Sequence, residues 1–189
     1  MKTRKRAIFI GISVLVLSIL ACTLNVGGPD YPDQRIPVST EALEEFQASM
    51  QTAAAFGAAT GETTLVITEP QLTSYLAYRL QAQSKPLFTD PQVYLRDGQI
   101  QIYGTAQQGV LQATIALVVT AGVDEQGKLA LELTSADFGP LPLPEGLNEA
   151  VTATLEEAYT GAIGPSAIGF RLTSITIANG TMTIVGRVY

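Results

Sequence analysis

The sequence predicts an α+β fold, a twisted antiparallel sheet of about five to seven strands with about three helices packed on it. Three observations predict it. Two stretches place an Asp-Gly or Asn-Gly pair between alternating apolar residues, "QVYLRDGQIQIY" and "LTSITIANGTMTIVGRVY". Between them, "GVLQATIALVVTAG" and "KLALELTSADF" read as long strands. Three further stretches repeat apolar residues at helical spacing.

The chain opens with "MKTRKR", which carries Lys2, Arg4, Lys5 and Arg6, and continues in an uncharged apolar run from Ala7 to Ala21. A basic segment followed by a short apolar one is the pattern of a signal peptide over residues 1–21. The run is shorter than the roughly 20 residues of a spanning helix. Read on through Val26 it reaches that length, so an uncleaved anchor is the competing expectation. The stretch "ILAC" ends the run with Cys22, the single cysteine of the chain. It resembles the bacterial lipobox. That resemblance implies cleavage before Cys22, diacylglyceryl transfer to its thiol and acylation of the new amine, a palmitate-type anchor. Buried acyl chains contribute about 0.8 kcal/mol per CH₂, and two or more hold a protein stably.

Residues 22–40 then read as a lipidated cysteine and a flexible tether, because "TLNVGGPDYPDQRIPVST" has three prolines, two glycines and no period. Fully extended, such a segment reaches at most roughly 60 Å, and as a coil roughly 25 Å. Residues 41–189 are expected to form one domain.

The first helix is "TEALEEFQASMQTAAAF", with Leu43, Phe46, Met50 and Ala53 in one stripe and Glu41, Glu44 and Glu45 near its positive N-terminal end. "TTLVIT" is a short strand. It runs into a second helix, "TEPQLTSYLAYRLQAQ", where Thr68 and Gln71 have capping-box spacing and Pro70 falls in the tolerated first turn. Leu72, Tyr75, Leu76 and Leu80 make its apolar face.

In the first hairpin, Asp97 and Gly98 suit a two-residue type I′ turn, which sets Leu95 opposite Ile100 and Val93 opposite Ile102. Along the strand that follows, Ala116 and Val118 lie on the face opposite Leu117 and Val119 and are the candidate apolar ligand face. Leu129, Leu131 and Leu133 alternate with Ala130 and Glu132 on the next. A third helix is expected in "EGLNEAVTATLEEAY". The last hairpin turns at Asn179 and Gly180, with Ile177 opposite Met182 and Ile175 opposite Ile184. The two hairpins share the pattern [DN]-G-x-[IM]-x-I-x-G, which shared turn chemistry explains for physical reasons alone, with duplication the alternative.

Composition excludes several function classes. Four of the eleven basic residues lie in the leader and all seventeen acidic ones follow Cys22, so the mature chain carries 7 − 17 = −10. That surface repels phosphate backbones, and no nucleic-acid partner is expected. With no histidine and no thiol beyond Cys22, a Ser-His or Cys-His nucleophile cannot be built, and zinc lacks its usual ligands. Ser84 and Lys85 are adjacent rather than one helical turn apart. Glu44/Glu45 and Glu156/Glu157 diverge around helices. Asp124 and Glu125 lack the spacing of a calcium loop. No catalytic residue, metal site or cofactor is expected; a hydrolase is the least supported reading.

The stretches "ITEPQLTSYL", "VYLRDGQIQIYG" and "FGPLPLP", after a lipobox leader, resemble the YpmS-like family of bacterial lipid-anchored extracytoplasmic proteins, over roughly residues 63–187. The order of elements is also similar to that of phospholipid-binding lipoproteins with an elongated sheet wrapped on helices. The resemblance implies a membrane-anchored envelope protein on the extracytoplasmic face, and the absence of histidine, free thiol and catalytic motif leads to the expectation that it binds rather than transforms. One expectation is an interaction or structural module that holds an envelope partner. The alternative is a lipid-binding domain, marked by an apolar cavity of about 300 Å³ or more.

Overall fold

The computed structural model describes residues 23–143 and 170–188. The leader, Cys22 and the helix expected in residues 145–159 lie outside them. The elements in chain order are β1 (Leu24–Asn25), α1 (Thr40–Thr60), β2 (Glu62–Thr68), α2 (Glu69–Gln81) and β3 (Thr89–Arg96). β4 (Gln99–Gln108), β5 (Leu111–Val123), β6 (Leu129–Asp137), β7 (Phe170–Ala178) and β8 (Thr181–Val188) follow. Two helices are thus present among the described residues, where the sequence suggests three.

The strands make two sheets rather than the single one expected. In the first, β3, β4 and β5 form an antiparallel meander, and the far edge of β5 is shared. β1 pairs with Leu111–Gln112 in parallel, and β6 pairs antiparallel with Ala116–Val123. The second sheet has three strands in the order β2-β8-β7, all antiparallel. β2 claims the C-terminal hairpin, with Leu65 opposite Ile184 and Ile67 opposite Met182. Two backbone bonds tie the hairpin to the first sheet: Gly180 N–H donates to the Leu95 carbonyl at 3.3 Å and Leu172 N–H to that of Gly127 at 2.8 Å. The physical reason for two sheets is that each has one apolar face. Bringing those faces together buries both, which one long sheet under two helices cannot do.

The hairpin turns hold Asp97 and Gly98 at φ 53° and 77°, and Asn179 and Gly180 at 53° and 76°. Only residues that tolerate the left-handed region form such a turn without strain. Leu95 faces Ile100 and Val93 faces Ile102; Ile177 faces Met182 and Ile175 faces Ile184. Three irregularities interrupt the ladders among the described residues, in β3–β4, β5–β6 and β7–β8, and the last two each leave a threonine unpaired. Thr134 Oγ1 donates to the Val118 carbonyl at 3.0 Å, and Thr173 Oγ1 to that of Val185 at 3.1 Å. Each hydroxyl satisfies a carbonyl beside the irregular pairing.

Ile100, Ile102 and Ala106 of β4 and Ala113, Ile115, Leu117 and Val119 of β5 line the inner face of the first sheet. They share one core with β2, β8 and the helices. α1 starts at Ser39, whose Oγ accepts the Ala42 N–H at 3.1 Å, and buries Ala42, Phe46 and Met50. Thr63 Oγ1 donates to the Ala53 carbonyl at 2.7 Å and binds α1 to β2.

The segment expected to be a flexible tether is instead held on the first sheet along much of its length. Leu24 and Val26 donate to the Val110 and Gln112 carbonyls, both at 2.8 Å. Ile36 is buried, and its N–H and carbonyl are both bonded by the Gln92 side-chain amide, at 2.6 and 3.1 Å. Tyr94 Oη donates to the Gln34 carbonyl at 2.7 Å. Prolines and glycines remove local structure but leave carbonyls and N–H groups free for distant partners.

Candidate functional site

Between α2 and the two sheets runs an apolar groove. Phe46 and Met50 of α1 close one side, and Leu65, Ile67, Met182 and Ile184 of the second sheet form its floor. Val93, Ile100 and Ile102 of the first sheet, with Ala121, Leu129 and Leu131 at the β5–β6 edge, form the wall. Leu72, Tyr75, Leu76 and Arg79 of α2 complete it, and Arg79 is the only charged side chain among these lining residues. The Phe46 and Tyr75 rings pack with centroids 5.1 Å apart, tilted by 46°. The groove holds a half-open space of about 130 Å³. That is below the roughly 300 Å³ of a pocket that swallows a whole small ligand.

What surrounds that space extends it. Leu72, Tyr75 and Leu76 on α2 and Leu129, Leu131 and Leu133 on β6 are packed against the core yet only partly buried. They make an apolar trough that reaches the surface. Apolar side chains left half wet gain about 25 cal/mol per Å² when something covers them.

Polar bonds on the other side of α2 explain why this stripe faces the trough. Gln71, Thr73 and Ser74 are buried although polar. Gln71 Oε1 accepts the Thr68 N–H at 3.0 Å and completes the helix start. Thr73 Oγ1 accepts the Val93 N–H at 3.0 Å, and Ser74 Oγ accepts the Ser39 N–H at 3.1 Å. The Glu69 carboxylate accepts the Leu95 N–H at 2.8 Å and pairs with Arg96. The Thr73 and Glu69 bonds hold one face of α2 on β3, and the Ser74 bond holds it to the start of α1. Among the described residues no buried side-chain nitrogen or oxygen lacks a partner. The face with Leu72, Tyr75 and Leu76, read in the sequence as buried, is therefore the one that lines the groove.

Ala116 and Val118, the expected ligand face, look away from it. They lie on the outer face of β5, half-buried, opposite Tyr103 and Gln101 of β4. The groove takes the other face because Leu117 and Val119 sit beside Ile102 and Ile100, and that continuous branched surface is where the second sheet packs. The outer face carries a separate cleft of about 440 Å³ beside Arg35, Tyr94 and Arg96. Arg35 lies over the Tyr31 ring at 4.2 Å, and Tyr94 meets Tyr103 edge-on at 5.8 Å. Burial raises the phenol pKa of both Tyr31 and Tyr94.

The groups weighed for chemistry are occupied or apart. Asp124 Oδ1 accepts the Gln126 and Lys128 N–H groups at 2.9 and 2.7 Å, so its carboxylate shapes the β5–β6 turn. Glu44 and Glu45 are both exposed on α1. No group of three His, Cys, Asp or Glu side chains among the described residues is placed to hold a metal ion. Cys22, Glu156 and Glu157 lie outside the described residues. Within those residues no helix is long and apolar enough to cross a membrane.

The family model described as LmeA-like phospholipid-binding matches residues 23–187. The match falls on the phospholipid-binding likeness rather than on the YpmS-like one. Comparison with curated proteins and with solved structures gave no match.

Proposed function

The chain belongs to the LmeA-like phospholipid-binding family, and from that premise we propose that it binds a membrane phospholipid by lodging part of an acyl chain in the groove beside α2. The observation that carries this reading is a trough with one charged lining residue, walled by half-buried aliphatic side chains from α2 and β6. Its volume of about 130 Å³ suits a stretch of one chain, with the remainder of the lipid along the trough and outside it. Arg79 on α2 is the charged member of that lining. The protein works in this reading as a carrier or sensor and not as a catalyst. It is held on the extracytoplasmic face of a bacterial membrane through a lipid on Cys22.

Native mass spectrometry of the gently purified full-length chain tests the proposal. A co-purifying phospholipid is expected. Leu76→Glu puts a carboxylate in the trough and should cut lipid occupancy several-fold. Val118→Glu on the outer face should leave it unchanged, since Gln101 and Ser135 already surround that position with polar groups. A chain that emerges free of bound lipid and takes up no fluorescent phospholipid leaves the envelope-partner reading in its place.

A further inference from the structure

The docked N-terminal segment ends in a water-exposed apolar tip. Leu24, Val26, Val110 and Leu111 are 57%, 36%, 54% and 37% exposed. They are neighbours because β1 bonds to the β4–β5 turn, through the Leu24 and Val26 N–H groups. No charged residue occurs in Thr23–Pro29 or in Thr105–Val123, within a chain whose net charge after Cys22 is −10. The contact is built into the backbone. Gly28 (φ 128°) lies so close to β5 that a Cβ there would stand 2.1 Å from the Thr114 carbonyl oxygen.

We infer that this tip rests in the headgroup layer of the bilayer that the chain is attached to. The inference rests on the N-terminal attachment proposed above. Only one residue separates Cys22 from Leu24, so an anchor at Cys22, or an uncleaved apolar segment before it, lies within roughly 7 Å of the tip. With Leu24 bonded to Val110, the β4–β5 turn cannot stand off the membrane as a domain on a long tether would. An uncharged, aliphatic turn is the surface that enters the interfacial layer at least cost, and the acidic remainder of the domain stays in water. β5 then rises from the membrane, and its far end at the β5–β6 turn stands roughly 40 Å along the strand from the tip.

Full-length protein in vesicles of phosphatidylcholine and phosphatidylglycerol (3:1) tests the inference. An environment-sensitive fluorophore is placed at Val110→Cys or, as the control in the far turn, at Glu125→Cys. Signal from the chain with no introduced cysteine is subtracted. With vesicles that the protein floats with, the label at 110 should shift to the blue. Nitroxides on lipid headgroups should quench it several-fold more than the label at 125. Equal exposure of the two labels on floating vesicles overturns the tip contact and leaves the attachment standing. Failure to float overturns both. Protection of the label at 110 without vesicles shows a second copy of the chain covering the tip and also overturns the inference. Gly28→Val, which lifts the segment off β5, should lower quenching at 110 while flotation persists; unchanged quenching refutes the role of the docked segment.

Discussion

Gly98 and Gly180 show how much a single position decides. Each is the second residue of a two-residue turn, at φ 77° and 76°. A β-branched side chain is strained there. Gly98→Val and Gly180→Val are each expected to destabilise the domain by more than about 1 kcal/mol, read as a fall in the denaturant midpoint. An unmoved midpoint would count against the strain argument. The two positions differ in surroundings. A Cβ at 98 meets open space, while one at 180 comes within 3.4 Å of the Arg96 and Glu69 side chains. The second substitution should cost more, because it also crowds the ion pair that fixes the start of α2.

At the scale of elements, α2 carries the division of labour. Its polar face is bonded to β3 and to the residue that caps α1; its apolar face is left for the groove. The apolar stripe is anchored as well at its C-terminal end, where Leu80 is buried in the core, and Leu72, Tyr75 and Leu76 pack against that core while lining the groove. The anchoring role of Thr73 is testable. Thr73→Val keeps the shape but leaves the buried Val93 N–H without an acceptor, which costs about 1–3 kcal/mol. Thr73→Ser should recover most of the loss. A Val variant as stable as the parent would mean that packing alone holds the helix.

At the scale of the whole molecule, the two sheets and two helices of the described residues surround a core that opens along one side as the trough, and the N-terminal segment reaches the β4–β5 turn. The proposed attachment and the proposed lipid binding are tested by separate substitutions. Cys22→Ala is expected to abolish acyl labelling and release the chain to the soluble fraction, or leave it as unprocessed precursor. Leu76→Glu should act on lipid occupancy alone. Mature protein that stays on the membrane with an unmodified Cys22 would refute the anchor.

Local chemistry by itself determined the two hairpin turns, the registers within those hairpins and the starts of α1 and α2. All of these depend on residues within a few positions of one another: a Gly that tolerates positive φ, a Thr three residues before a Gln, an alternation of two. Tertiary structure decided the rest. From Ile115 to Val119 β5 has no polar residue on either face, so alternation could not say whether Val118 or Val119 points to the core; the second sheet chose. The stripe of α2 could not reveal that Thr73 and Ser74 hold the other face. The segment before Ser39 has no period, and its partners Gln92 and Tyr94 lie 56 and 60 residues away from the groups they bind. A proline- and glycine-rich stretch looks like a free tether from sequence because its backbone hydrogen bonds are made with strands that only the fold brings alongside.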